Sequence, residues 1–210
     1  MVRNTFYEIR ICTFYKGIYG PWSNIEKIKT FELDSLILED LPKKEEFVQK
    51  IYEWSGYKKM ELLFRGSRDG MTSKNFHNKC DNKGPTITLY KNDKDNIFGG
   101  YASISWLNKG DYKDAPDCFL FTLANIYNTE PLKFPSLKNG NNVYHGESYG
   151  PYFGYAKDIG IYSNFKDNCR SDFPISYQDI LGKGFSIFTG DIKNNYFKLK
   201  EIEVFKIINP

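Results

Sequence analysis

The stretch Cys118-Phe119-Leu120-Phe121-Thr122-Leu123-Ala124 is apolar on both alternating parities, so it reads as a central strand sandwiched between layers. Working outward, further strands are expected at Met60–Arg65, Thr86–Tyr90, Tyr101–Trp106, Asp158–Tyr162, Phe185–Phe188 and Phe197–Ile208. Gly99-Gly100, Lys109-Gly110, Asn139-Gly140 and Gly190-Asp191 punctuate them as turns. In the last strand Phe197 and Leu199 share one parity while Ile202 and Val204 share the other, which predicts a bulge near Lys200-Glu201. Two segments carry a helical pattern. Lys43–Trp54 follows Asp40-Leu41-Pro42, presents Phe47, Val48, Ile51, Tyr52 and Trp54, and stops at Gly56. Ser73–Cys80 has Thr72 as its N-cap, with Met71 placed to pack on Phe76. Between Thr86 and Phe134 the sequence offers no crossover helix, which argues against a doubly wound parallel sheet. The expected fold is mainly β with short flanking helices (α+β), arranged as a two-layer antiparallel β-sandwich.

Composition narrows the function classes. The chain has 210 residues, enough for one good core and too few for two large domains. Its 29 basic and 26 acidic residues leave +3, too balanced overall to indicate nucleic acid as a partner. Aromatics reach 17%, which suits twisted strands and tight turns. Four widely spaced cysteines, charge interrupting the first apolar stretch, and no long apolar run predict a reduced, cytoplasmic chain with no direct membrane insertion. Residues 1–30 are expected to form an N-terminal extension with an edge strand in Phe6–Tyr15, broken at Gly20-Pro21. Residues 31–208 would be one domain and 209–210 a tail.

Three clusters invite chemistry. Arg65-Gly66-Ser67-Arg68-Asp69-Gly70 joins a strand to a helix and gathers two guanidinium groups, a carboxylate and a hydroxyl. It either holds an anion or forms a local scaffold in which Asp69 pairs with an arginine. It lacks the Lys-Ser/Thr of a phosphate loop. His77 and Cys80 share a helix face, but a zinc site would need Cys118, Cys169 or His145 to converge on them. Cys80, His145 and an aspartate could compose a nucleophilic triad on paper, and His145 with Glu147 a proton-transfer pair. The third cluster, Tyr144 to Tyr155, sets Tyr144, His145, Glu147, Tyr149, Tyr152 and Tyr155 among glycines, with Lys157 nearby. It reads as core cover or as a protein interface, and its lack of interleaved basic residues argues against base stacking.

One resemblance ties these segments together. Glu61-Leu62-Leu63-Phe64-Arg65-Gly66-Ser67-Arg68-Asp69-Gly70 is similar to the opening signature of the TLDc domain family. The similarity continues through Phe76-His77, Cys80-Asp81-Asn82-Lys83-Gly84-Pro85-Thr86, Phe98-Gly99-Gly100-Tyr101, Trp106 and Phe119–Leu123. It closes with Tyr149-Gly150-Pro151, Phe153-Gly154, Asp158-Ile159 and Glu201–Phe205. The resemblance implies a TLDc-type sandwich and a non-catalytic protein-interaction domain that needs no cofactor and no metal. It also implies a link to oxidative-stress resistance and binding or regulation of the peripheral sector of the vacuolar-type proton ATPase, hence peripheral recruitment to an organelle membrane. Arg65, Arg68, Asp69, Gly99 and Gly100 match family positions. Tyr155-Ala156-Lys157 departs from the small, glycine-rich stretch that the family often has there. The alternatives are a cysteine-dependent redox or hydrolytic enzyme, and a structural subunit of a cytoskeletal or membrane-associated assembly.

Overall fold

The structure is a computed structural model that describes residues 6–29, 32–56, 59–166 and 169–208; the 209–210 tail lies outside them. Its centre is a six-stranded sheet in the order Leu132–Pro135, Phe119–Ala124, Ile97–Ala102, Thr86–Asn92, Leu199–Ile208, Lys59–Arg65. Every neighbouring pair is antiparallel. The closing strand therefore sits inside the sheet, between two strands made much earlier in the chain. The fold is mixed, dominated by antiparallel sheet with few short helices.

Both faces of this sheet are buried, for different reasons. On one, helix Lys44–Trp54 lays Phe47, Val48, Ile51 and Tyr52 over Ile87, Leu89, Phe121, Leu123 and Phe205. Each such side chain contributes roughly 1.5–3 kcal/mol by leaving water. The helix ends where Gly56 takes φ +76, a left-handed conformation that glycine adopts without a Cβ clash. On the other face lie helix Ser73–Cys80 and two small three-stranded sheets. One comprises Lys109–Lys113, Val143–Gly146 and Tyr152–Phe153, the other Gly160–Ile161, Cys169–Arg170 and Tyr196–Phe197. Between them and the large sheet lies a core rich in aromatics, including Phe64, Phe76, Tyr90, Phe98, Trp106, Phe134, Phe153 and Phe188. Thr72 caps the second helix, its hydroxyl accepting from the Asn75 amide at 3.3 Å.

Several expectations need correction. Phe119–Ala124 is buried on both faces but lies one strand in from the sheet edge. Gly99-Gly100 is not a turn: it lies within strand Ile97–Ala102, because an added Cβ at Gly99 would collide with the Thr88 carbonyl and the Phe121 ring, and one at Gly100 with the Phe153 ring. The strand expected at Tyr101–Trp106 is displaced accordingly. Trp106 lies beyond it, its indole N–H donating to Thr86 Oγ1 at 2.9 Å. Lys109-Gly110 is also in a strand, with Gly110 at φ +72 where the pairing to Val143–Gly146 shifts register, a glycine-dependent bulge. Phe185–Phe188 forms no strand; Ser186–Thr189 is one helical turn bracketed by Gly184 (φ +56) and Gly190 (φ +70). A four-residue buried run has no period long enough to separate the two states. The strand expected at Phe197–Ile208 is split, Tyr196–Phe197 pairing in a small sheet and Leu199–Ile208 in the large one, and the bulge expected near Lys200-Glu201 is present between Leu199 and Glu201, opposite Asn92 and Lys91.

Candidate protein-interaction surface

The arginine cluster joins strand Lys59–Arg65 to the short helix Gly66–Asp69. Arg65 closes an edge strand of the large sheet, and its guanidinium turns inward. Nε donates to Glu203 Oε1 at 2.7 Å, and Nη2 donates to the Asp34 backbone oxygen at 2.9 Å and to its carboxylate at 3.0 Å. Glu203 is fully buried, on the same parity as Phe205 and Ile207, and also accepts from the Ser35 hydroxyl at 2.6 Å and the Leu36 amide at 2.8 Å. Burial pushes its carboxyl above the usual range, and those hydrogen bonds oppose the rise. Asp69 accepts from the Arg65 amide at 2.9 Å and from Arg68 Nη2 at 2.7 Å. The hydrogen bond from Arg68, the largest effect, holds its carboxyl below the ordinary value. Arg68 Nη2 also donates to the Leu63 carbonyl at 3.0 Å. Ser67 gives its amide to Glu201 at 3.1 Å, and a side chain at Gly66 would strike Met71 and Ile202. Gly70 turns the chain at φ +96. Both guanidinium groups are engaged by carboxylates. Asp34, Ser35, Glu201 and Glu203 were missing from the sequence reading of this cluster. The available signal was a pair of acids, Glu201 and Glu203, alternating with apolar residues inside a strand, since a buried charge requires partners.

The remaining catalytic candidates do not converge. His77 Nδ1 lies 2.8 Å from Asp81, and Nε2 lies 3.1 and 3.0 Å from the carbonyls of Gly146 and Tyr149, so the ring staples the helix to the 146–149 turn. Cys80, Cys118 and Cys169 are buried, and Cys169 donates to the Phe165 carbonyl at 3.1 Å. Burial pushes the Cys80 and Cys118 thiols up, the opposite of what an activated nucleophile needs. Among the described residues no three His, Cys, Asp or Glu side chains are placed to hold a metal. His145 is 1% exposed against Trp106, with Nδ1 3.8 Å from Asp111, and burial lowers its pKa. No hydrogen bond or ion pair joins it to the exposed Glu147 among the described residues.

The tyrosines do come together. Tyr144 lies on strand Val143–Gly146, Tyr152 on its partner, and Tyr112 on the third strand opposite Tyr144. Ring centroids are 4.7 Å apart for Tyr112–Tyr144, 5.2 Å for Tyr144–Tyr152, 5.4 Å for Tyr144–Tyr149 and 5.3 Å for Tyr112–Tyr155. Tyr162 closes the group against Tyr149 at 5.4 Å. Tyr152 is buried at the centre, where desolvation pushes its hydroxyl up. Tyr112, Tyr144, Tyr149 and Tyr162 are half-buried, and Tyr155 stands out at 57% exposure. Glu147 is exposed and Lys157 half-buried. The Tyr112 hydroxyl donates to the Tyr155 carbonyl at 2.7 Å, fixing the rim. Edge-to-face and tilted packing of this kind gives rigid rings with little rotamer entropy left to lose. Tyr112 and Tyr162 were not among the sequence candidates, since only strand pairing brings residues 112 and 162 to the 144–155 segment.

Asp158 holds the base of this surface. Its carboxylate accepts from the Ile175 amide at 2.6 Å and the Ser176 amide at 2.8 Å, while Ser176 Oγ accepts from the Tyr155 amide at 2.9 Å. Gly154, at φ +83, has no room for a Cβ beside that carboxylate. Lys157 adopts φ +71, a conformation that costs a side-chain-bearing residue more than glycine. Burial raises the Asp158 pKa to about 6. The folded state therefore binds a proton more tightly than the unfolded chain, and the sign is destabilising as pH rises. Between about pH 4 and 6 wild type should lose about 3 kcal/mol relative to Asp158→Asn, with the difference constant above that window. Urea unfolding of both proteins across that range checks it.

The fold defines a mainly antiparallel domain whose arginine cluster is paired with carboxylates and whose tyrosines crowd one small sheet. Residues 33–208 match the model of the TLDc domain, and the chain belongs to the TLDc domain family. It is similar to the MTOR-associated protein MEAK7 of Danio rerio, 36% identical over 62 residues, covering 30% of this chain and 14% of that protein. It is also similar to MEAK7 of Gallus gallus, 32% identical over 97 residues, covering 46% of this chain and 18% of that protein. These matches span less than a fifth of either relative's length.

Proposed function

We propose that this chain is a non-catalytic protein-interaction domain that docks through its tyrosine surface onto the peripheral sector of the vacuolar-type proton ATPase. In this reading it acts from the cytoplasmic side, is recruited to an organelle membrane through that partner, and contributes to oxidative-stress resistance by regulating the enzyme. The observation that carries the reading is the rigid, half-exposed tyrosine group rimmed by Glu147 and Lys157. Interface hot spots favour such rings, and opposite charges at a rim select partners. The raised Cys80 and Cys118 thiols speak against the cysteine-enzyme alternative. Family membership nominates the ATPase, and the name of the two relatives nominates an MTOR-containing assembly as the second partner to test.

Quantitative binding of the full chain to the purified peripheral ATPase sector tests this. Tyr155→Ala and Glu147→Lys, both exposed, should leave thermal unfolding unchanged and weaken binding about tenfold each. Unchanged affinity in both variants removes the tyrosine surface. No binding by wild type removes the ATPase.

A further inference from the structure

The strands within residues 6–29 form two small sheets of their own, and none of their described side chains belongs to either hydrophobic core cluster. Phe6–Ile9 pairs with Glu26–Lys29, and Phe14–Tyr15 pairs with Ile18–Tyr19 around Lys16-Gly17. These two turn residues have φ +47 and +82, the positive values of a tight hairpin turn whose twist matches its strands. The backbone bonds from Gly20 to Thr13 (2.7 Å) and from Ser23 to Ile11 (2.8 Å) link the two arms.

The tip of this hairpin is apolar and out in solvent. Phe14 is 61% exposed, Tyr15 72%, Ile18 74%, Tyr19 67% and Trp22 59%. Adjacent residues point to opposite sides of a ribbon, so Phe14 and Tyr15 belong to different faces, as do Ile18 and Tyr19. Phe14 meets Tyr19 at 4.6 Å, and Tyr19 stacks on Trp22 at 6.5 Å. A protein docking site would cover one face and leave the other wet. A lipid interface surrounds both. Pairing with a second copy has little to hold, because each tip strand is two residues long.

Charge points the same way. Residues 1–30 hold five basic side chains (Arg3, Arg10, Lys16, Lys27, Lys29) against two acidic ones (Glu8, Glu26). That +3 equals the net charge of the whole chain, and residues 31–210 carry 24 of each sign. Lys16 sits at the turn, and Arg10 is exposed beside the apolar tip. Tyr and Trp favour the headgroup region, and lysine and arginine are drawn to an anionic leaflet. We propose that this hairpin docks on the surface of an anionic phospholipid bilayer, with Phe14, Tyr15, Ile18, Tyr19 and Trp22 seated among the headgroups and Arg10 and Lys16 on lipid phosphates. The contact is peripheral; no helix among the described residues is long and apolar enough to cross a membrane.

Flotation of the full chain with phosphatidylcholine vesicles, with and without phosphatidylserine, tests the proposal. Wild type should float with the mixed vesicles and not with phosphatidylcholine alone, bind less as salt rises, and show a blue shift in Trp22 emission that Trp22→Phe removes. The double variant Phe14→Ser/Trp22→Ser should lower partitioning by about tenfold or more, as should Arg10→Glu/Lys16→Glu. All these side chains are exposed, so thermal unfolding should match wild type in both. Failure of wild type to float with anionic vesicles at low salt overturns the proposal. So does equal flotation of both double variants. Hairpin-dependent dimerisation in sedimentation velocity without vesicle binding would assign the surface to a second copy instead. Binding to the ATPase sector, which the tyrosine surface is proposed to mediate, is a separate readout.

Discussion

Arg65→Met should be among the most damaging single substitutions in this chain. It leaves Glu203, which is fully buried, with the Ser35 hydroxyl and the Leu36 amide but no cation. Breaking a buried ion pair from one side typically costs about 3–5 kcal/mol, because the remaining charge can neither ionise cheaply nor reach water. Against a total stability on the order of 5–15 kcal/mol, that loss is a large fraction of the fold. The loss should shrink as pH falls, because the orphaned carboxyl, already raised by burial, escapes its penalty by taking up a proton. Arg65→Met/Glu203→Met should recover part of the stability, since the apolar pair leaves no buried charge although the Ser35 hydroxyl and the Leu36 amide lose their acceptor. Urea unfolding of the two single variants and the double variant closes the cycle. A double variant no more stable than Arg65→Met would mean that the pair is not the reason for the damage.

Gly99→Ala should match it by a different route. The strand Ile97–Ala102 passes so close to its neighbours that a Cβ at Gly99 would overlap the Thr88 carbonyl oxygen and the Phe121 ring. The carbonyl belongs to the next strand of the same sheet, paired over six positions, and cannot step aside without breaking the ladder. Overpacking typically costs about 1–3 kcal/mol, and this case should reach the top of that range or exceed it. Gly100→Ala is the informative contrast. Its methyl would meet the Phe153 ring first, a side chain that can shift more readily than a ladder carbonyl, so a smaller loss of about 1–2 kcal/mol is expected. Thermal unfolding of both variants should therefore rank Gly99→Ala as clearly the less stable. Equal midpoints would show that the sheet relaxes around Gly99.

The glycine pair also shows where sequence reasoning reaches its limit. Read locally, Gly99-Gly100 is a turn, since two adjacent glycines are conformationally permissive. The reason for them is instead the space taken by Thr88, Phe121 and Phe153, one of which lies more than 50 residues away. The strand expected at Phe185–Phe188 is instead the helical turn Ser186–Thr189, because burial of every residue in that turn erases the periodicity that separates strand from helix. Tyr152 could be placed in an aromatic group from sequence, but not at its buried centre, with Tyr155 at the rim.

What the sequence by itself determined are the features set by local chemistry or by a period that repeats. Helix Ser73–Cys80 with its Thr72 cap, the amphipathic helix ending at Gly56, the two-sided strand Phe119–Ala124 and the bulge before Glu201 were all legible, as was the antiparallel class that follows from having no crossover helices. So was the family signature from Glu61 to Gly70. Only the tertiary structure decided what those pieces do together. Strand pairing buried Glu203 against Arg65 and tied the turn that follows Arg65 to the closing strand. It brought Tyr112 and Tyr162 to the tyrosines of 144–155, and it left Phe14–Trp22 out in water. The physical reason is that burial and partnership belong to pairs of residues distant in the chain, whereas propensity, capping and parity belong to residues within one turn or one pleat of each other.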